Sequence, residues 1–459
     1  MIILHYLVGL TPVRGGGLVK YATDLMLGEQ EQGENVLMLL PGPIYLKEEK
    51  SRNVSIQKSG NLQGIPIFYI NNPLPIPMAN GILDVEWYTS SCQGDIFEKF
   101  LQKTNPDIIH IHTFMGLYKE FLLASNKLNI PVFYSTHDYF GICPKTDLMF
   151  GDSVCSKPGL HCQECSRFAL SKKRLILEQS RIYRIYRKSD YLISLLESKK
   201  LKNKLQELRS DYKQDKVGQI DTINYKNLFK YYQEMYQLVT YFHFNSSNTR
   251  KVYEKYFGKL PGSIINISNR SICDNRKTRY VKKVVRLGYL GGDYQHKGFD
   301  RILKILSELT QNKQIEVELH IYGSYKKIQH KFCYYHERYS HDELNRVFDS
   351  MDVLVVPSRC METFGMVVLE AISYGIPVLL TDKVGAKDVI QHCGEEIGIV
   401  VKDNGEDLLD SIFTICKDPE ILNRINRNIV NADIKLNYKD HVKTICEAYN
   451  YVVCMNDFI

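Results

Sequence analysis

The chain has 459 residues, 44% of them hydrophobic and 24% charged, with a net charge of +7. That length exceeds one ordinary core and predicts two or three domains of a globular protein, not a disordered or fibrous one. No apolar run reaches the roughly 18 residues of a membrane span, and twelve cysteines without an export signal point to a reducing cytosol, where clustered thiols mean metal or reactivity more than disulfides.

The first stretch, IILHYLV (2–8), reads as a buried strand rather than a leader, because no basic region or small-residue cleavage site accompanies it. A Gly-rich loop follows, TPVRGGG (11–17), then a helical stretch closed by Gly33, then NVLMLL (35–40). DIIHIH (107–112) and PVFYSTHD (131–138) continue the series. Nearly continuous apolar strands alternating with helices predict a parallel sheet covered on both faces. In HIH the two histidines, His110 and His112, share one side of the strand. His137 and Asp138 end the next strand at a site-forming edge. Core packing is the alternative for each histidine, strongest for His110.

Cys143, Cys155, Cys162 and Cys165 then fall within 23 residues, the last pair as C-Q-E-C. A structural zinc site and a set of buried thiols are the two readings. The next segment, 171–216, holds fourteen Lys and Arg against six Asp and Glu. If helical, it carries Arg174, Arg181, Arg184 and Lys188 on one face, beside Leu175, Ile182 and Tyr186. Such a helix suits an anionic membrane surface or an acidic partner, with a plain solvated face as the alternative. Charge without a recognisable motif does not suggest nucleic acid.

A second strand series begins at VVRLGYLGG (284–292). It continues through VELHIYG (317–323), DVLVVPS (352–358), PVLLT (377–381) and GIVV (398–401). Two such series separated near 270–283 predict two Rossmann-like domains. Residues 436–459 read as a terminal helix.

Within the second series, ETFGMVVLEAISYG (362–375) carries two glutamates eight residues apart in a mostly apolar segment. Buried carboxylates are costly unless something binds them. The preceding strand, the helix 366–374, its stop at Gly375 and the strand opened by Pro377 form one βαβ unit, whose ligands lie beyond the strand ends. Gly365 admits a close backbone approach, and the helix start after it suits a phosphate. Glu362 would sit beside the group attached to that phosphate. Glu370, one turn into the helix, can accept from two ribose hydroxyls. Solvated helix residues are the alternative.

E-T-F-G-M-V-V-L-E resembles the E-x7-E motif of retaining glycosyltransferases of family 4. The resemblance extends to GGG before a helix (15–17), to DIIHIH and STHD, to HFNSSNTRKVYEKYF (243–257) and to LGYLGGDYQHKGFDRILKIL. It implies the GT-B fold: an α/β architecture of two Rossmann-like domains facing across a cleft, with the C-terminal helix returning to the N-terminal domain. The domains would be 1–275, with a cysteine-rich loop at 141–166 and a basic helical segment at 167–235; then 276–435; then a returning helix at 436–459. It implies a nucleotide-sugar donor and transfer, with retention, to a hydroxyl of a carbohydrate or lipid-linked saccharide, as in polysaccharide synthesis. The implied location is cytoplasmic, peripheral at the inner face of the membrane.

Carried onto this chain, the resemblance places Glu362 at the donor-sugar hydroxyls, Glu370 at the ribose and Lys297 at the diphosphate. Backbone amides near Phe364, Gly365 and Met366 would bind sugar and phosphate, Gly16 and Gly17 would face the phosphate, and His137 would lie near the transferred sugar. His112 and Asp138 would lie on the acceptor side. The family often has an arginine five residues before the lysine; here that position is Gly292. With no clear D-x-D motif, no catalytic metal is expected. A non-catalytic GT-B partner of another transferase and a nucleotide-sugar epimerase are the rival functions.

Overall fold

The computed structural model describes residues 1–45, 53–77, 81–188, 225–281, 284–292, 294–312, 314–323, 330–394 and 396–456. The chain divides into two compact units. The first comprises 1–146, 156–242 and 446–459, and the second 147–155 and 243–445.

The first sheet is built on β1 (Ile2–Tyr6), β2 (Asn35–Pro41), β3 (Ser55–Leu62), β4 (Ile65–Asn71), β5 (Ile108–Ile111) and β6 (Val132–Ser135). A two-stranded hairpin follows, β7 (Met149–Phe150) with β8 (Ser153–Val154). With β9 (Tyr241–Phe244) and β10 (Gly262–Ile264) the first sheet runs β10-β9-β6-β5-β1-β2-β4-β3. β1 pairs in parallel with both β2 and β5. The sheet order therefore reverses at β1, and the loops after β1 and β5 leave side by side. In open α/β sheets that reversal is where ligands bind. β1 is buried on both faces because helices cover it, so its sequence is nearly unbroken apolar. The edge pair β3–β4 is antiparallel.

The second sheet contains β11 (Val285–Tyr289), β12 (Val317–Tyr322), β13 (Cys333–His336), β14 (Val353–Val356), β15 (Val378–Thr381) and β16 (Ile399–Val401). Its order is β13-β12-β11-β14-β15-β16, and every pairing is parallel. β11 lies between β12 and β14, so the reversal falls at β11. The loop carrying Lys297 and the loop carrying Glu362 leave these two adjacent strands. The helix Phe299–Asn312 follows at once and buries Ile302, Leu303, Ile305, Leu306 and Leu309 against the sheet, the i, i+3, i+4, i+7 stripe of a core-facing helix. The terminal helix is Tyr438–Asn456, and its residues from Cys446 onward belong to the first unit.

The division falls at 242/243 rather than near 275. Polar contacts draw the segment after β9 into the second unit. Ser246 donates to the Thr363 carbonyl at 2.7 Å, Ser247 to Asp388 at 2.6 Å, and Lys387 to Asn248 at 2.6 Å.

Candidate functional site

In the second unit, Lys297 and Glu362 meet. The ammonium lies 3.0 Å from the Glu362 carboxylate, which also accepts from the Ser358 hydroxyl. Gly298 makes the approach feasible. It has φ +76°, and a Cβ there would stand 2.1 Å from the Pro357 carbonyl oxygen at the end of β14. Only a residue without a side chain lets the Lys297 turn come this close. Burial alone would raise the Glu362 carboxyl; the Lys297 charge and the Ser358 and Lys297 hydrogen bonds outweigh it and hold it below its ordinary range. Burial alone would likewise depress the Lys297 ammonium, and Glu362 turns the shift upward. Each keeps the other charged.

Glu362 is anchored through its backbone, whose N–H donates to the Lys383 carbonyl at 3.0 Å. The Phe364 side chain is core, and its carbonyl accepts from Ala386 at 2.7 Å. Gly365 has φ +96° and begins the helix Met366–Ser373, whose first turn has no side-chain cap. A helix start of this kind presents backbone N–H groups and positive dipole to an anion. Glu370 is buried on that helix, 3.4 Å from the Ser271 hydroxyl. In chain order these residues supply a strip of ammonium, carboxylate, helix N-terminus and second carboxylate.

Two supports were not visible in the sequence. Arg359 fastens the Lys297 loop, donating to the Gln295 carbonyl at 3.3 Å while paired to Asp300 at 2.7 Å. Asp152, on the β7–β8 hairpin, accepts from Gln295 and lies 3.5 Å from Arg359. Pairing spends the Arg359 charge on structure, so it does not replace the arginine missing at Gly292.

In the first unit, His112 and the half-buried His137 meet at the end of a longer chain of buried groups. His137 Nε2 is 3.2 Å from His112 Nδ1, His112 Nε2 is 3.1 Å from His5 Nδ1, and His5 Nε2 is 2.7 Å from Glu29. Tyr449 donates to the other Glu29 oxygen at 2.9 Å and lies 2.5 Å from His110 Nδ1. His110 Nε2 is 2.7 Å from the Ser135 hydroxyl. One set of tautomers satisfies every contact. An ionised Glu29 accepts from His5 Nε2–H and Tyr449 O–H. His5 Nδ1 then accepts from His112, and His112 Nδ1 accepts from His137. His110 donates to Tyr449 and accepts from Ser135. The network assigns the proton of neutral His137 to Nε2 and leaves Nδ1 as the acceptor nitrogen.

His5, His110 and His112 are also the group of potential metal ligands gathered among the described residues, their ligand atoms within 4.8 Å. All six ring nitrogens already have hydrogen-bond partners, which accounts for the cluster without an ion. His5 and Glu29 were the missed members. The signal for Glu29 was its helical spacing from Ala22 and Met26, which places it on the buried face.

Tyr21, on the helix Gly17–Glu31, packs on the His137 ring with centroids 4.7 Å apart. Gly16 and Gly17 open that helix without a side-chain cap, and a Cβ at either would meet nothing within 4 Å. Asp138 is half-buried, accepting from the Phe140 N–H at 2.8 Å. Burial pushes its carboxyl up to about 6, against hydrogen bonds from Phe140 and Thr113.

Cys143, Cys162 and Cys165 lie in the first unit and Cys155 in the second. Those three do not gather their sulfurs into a ligand group among the described residues. Cys162 instead accepts from the Gly159 N–H at 3.1 Å.

The basic segment differs from one amphipathic helix. Its described part, up to 188, forms two short helices, Lys172–Glu178 and Arg181–Lys188, because Gln179 and Ser180 are buried and their side chains bond to backbone groups. Arg184 turns inward, donating to the carbonyls of Pro41 and Gly42 at 2.8 Å each. The Lys188 side chain and residues 189–224 lie outside the described residues.

Residues 274–431 match the family model described as Glycosyl transferases group 1. A segment of 111 residues is 28% identical to an uncharacterized 41.2 kDa protein in the cps region of Klebsiella pneumoniae, covering 24% of this chain and 31% of that protein. The chain thus spans about a third of that relative. Among solved structures, sucrose-phosphate synthase from Thermosynechococcus elongatus aligns with a TM-score of 0.55 at 13% identity over 99% of both chains. Anabaena HepE in complex with UDP and glucose aligns at 0.53 and 13%, over 98% of this chain and 99% of that one. A glycosyltransferase from Rickettsia africae aligns at 0.55 and 12%, over 98% of both. The fold is GT-B, with two Rossmann-like domains.

Proposed function

We propose that the protein is a retaining glycosyltransferase that moves a sugar from a nucleotide-diphosphate-sugar to an acceptor hydroxyl in polysaccharide synthesis. The observation that carries this reading is the strip Lys297, Glu362, Gly365, Glu370, at the sheet reversal of a unit that matches group 1 glycosyl transferases. The similarity to HepE bound to UDP and glucose, and to a protein of a cps region, supports the donor class and the pathway class.

When the donor's glycosidic bond breaks, negative charge grows on the leaving diphosphate. The Lys297 ammonium and the uncapped helix N-terminus at Gly365 are fixed in place to stabilise it. Glu362 would accept from donor-sugar hydroxyls and hold Lys297 protonated. Glu370 would accept from the ribose. The Phe364 and Met366 backbone amides complete the phosphate cradle. His137, its acceptor nitrogen set by the network behind it, would lie near the transferred sugar, with His112 and Asp138 on the acceptor side and Gly16 and Gly17 toward the phosphate. No side chain here stands out as a covalent nucleophile, so we assign front-face attack by the acceptor hydroxyl.

The acceptor is a carbohydrate or lipid-linked saccharide, and we assign the protein to the inner face of a membrane. Among the described residues no helix is long and apolar enough to cross one. Leu177, Ile182 and Ile185 are exposed beside Arg181 and Arg187 on the two short helices, which supports surface attachment.

Release of nucleoside diphosphate from a panel of nucleotide-sugars, with and without saccharide acceptors, tests the proposal. Acceptor-dependent release with a glycosylated product is expected. Isomerised donor formed without acceptor would establish the epimerase instead, and no turnover of any donor would favour the non-catalytic partner.

A further inference from the structure

A cavity of about 540 Å³ opens in the first unit between the loop after β1, the β3–β4 ribbon and the helix Arg181–Lys188. That is within the size range of small-molecule sites. Arg14, Arg181 and Arg184 line it, and among the described residues no aspartate or glutamate does. Neutral polar groups come from Gln57, Asn61 and Tyr45.

The Arg184 charge is poorly compensated. Arg184 stacks on the Tyr69 ring at 5.5 Å and gives two hydrogen bonds to backbone carbonyls, but its Nε is buried without a partner among the described residues. Burial lowers the Arg184 guanidinium's affinity for its proton, and the Arg14 charge beside it adds to the effect. Burial likewise depresses the Arg14 guanidinium, against the Tyr183 and Glu178 charges that raise it. Arg181 is exposed at the rim and makes no ion pair or hydrogen bond among the described residues. Three guanidinium groups around one cavity repel one another, and burial of the Arg184 group costs hydration; an anion joining them would offset both. Planar, forked donors match phosphate oxygens with paired hydrogen bonds.

We propose that this cavity binds a phosphate or diphosphate ester carried by the acceptor saccharide. The cavity lies in the first unit, beside the loop that leads to Gly16 and Gly17, whereas the donor strip belongs to the second unit. The assignment to the acceptor rests on the glycosyltransferase reading; the affinity for phosphate does not.

Calorimetric titration of the full chain with inorganic pyrophosphate, in the presence of saturating UDP, isolates the cavity from a donor site. Micromolar to millimolar binding is expected, weakened at least about tenfold in Arg181→Gln and in Arg184→Gln, since a hydrogen bond to a charged group contributes about 1.5–3 kcal/mol. Binding of UDP itself should be unchanged in both. Arg181→Gln keeps the result readable if Arg184→Gln disturbs the fold. A hexose 1-phosphate and a short-chain alkyl diphosphate then distinguish the sources. Tighter binding of the alkyl compound assigns a lipid-linked acceptor, and tighter binding of the sugar phosphate a soluble one. Pyrophosphate binding abolished by UDP, or equal in wild type and both variants, would overturn the proposal. Loss of UDP binding alone, with pyrophosphate binding intact, would contradict the donor reading and leave the cavity standing.

Discussion

At the residue scale, the first unit's behaviour turns on two carboxylates, Glu29 and Asp138, of which the sequence points only to Asp138. Glu29 sets the tautomers of His5, His112 and His137 in turn. Glu29→Gln keeps the shape but leaves one carbonyl oxygen for two donors, His5 Nε2–H and Tyr449 O–H; with Tyr449 holding that oxygen, the amide donates to His5, the chain reverses and the His137 proton moves to Nδ1. The expected result is a kcat at least about tenfold lower, following the usual scale of general acid–base contributions, with donor KM held and the reversed His137 tautomer visible in nitrogen NMR. An unchanged tautomer and rate would remove Glu29 from the site. Asp138 titrates in the other direction. Its carboxyl stands near 6 when folded, against 3.8 ordinarily. Below 3.8 both states are protonated and nothing is lost. As pH rises from 3.8 to 6 the unfolded chain ionises first, and stability falls by up to about 3 kcal/mol. Asp138→Asn does not titrate, so its advantage over wild type in thermal melts should grow between pH 4 and pH 6 and level off above. Parallel curves would contradict the burial account. The sequence pointed to His137, His112, Glu362 and Lys297 because each sits at a strand end or in a motif. His5 and Glu29 looked like interior residues of apolar elements, and only their tertiary contacts show what they do.

At the scale of elements, apolar periodicity revealed the central strands, since strands buried on both faces cannot hide among polar loops. It did not reveal β3, whose SIQKSGNL is polar and largely exposed at a sheet edge, nor the two-residue strands of the β7–β8 hairpin, too short to carry a pattern. The basic segment was read as one face of one helix. Two buried polar residues, Gln179 and Ser180, break it and send Arg184 inward instead. Membrane attachment, in the described residues, therefore rests on Leu177, Ile182 and Arg187. Replacing Ile182 with Asp and Arg187 with Gln should reduce binding to anionic vesicles several-fold, and added salt should weaken wild-type binding because exposed charges are screened. Co-sedimentation equal with neutral and anionic vesicles would exclude the electrostatic part of this account.

At the scale of the whole molecule, the two strand series in the sequence matched two Rossmann-like units, but the division between them did not lie where composition changed. Hydrogen bonds from Ser246, Ser247 and Asn248 to the Glu362 loop and its neighbours carry 243–275 into the second unit. Long-range polar docking of that kind leaves no trace in local pattern. It also braces the loop on which the central claim depends: that Glu362 acts on the bond that breaks while Glu370 holds the nucleotide. The most direct measurement is steady-state kinetics with the donor identified from the panel, comparing wild type, Glu362→Gln and Glu370→Ala. Glu362→Gln is predicted to lower kcat by about a hundredfold or more, the scale of losing one fixed electrostatic group, with little change in donor KM. Glu370→Ala is predicted to raise donor KM by roughly 1–3 kcal/mol of lost binding and to leave kcat within a few-fold. Normal kinetics in both variants, or the two effects exchanged, would contradict the account.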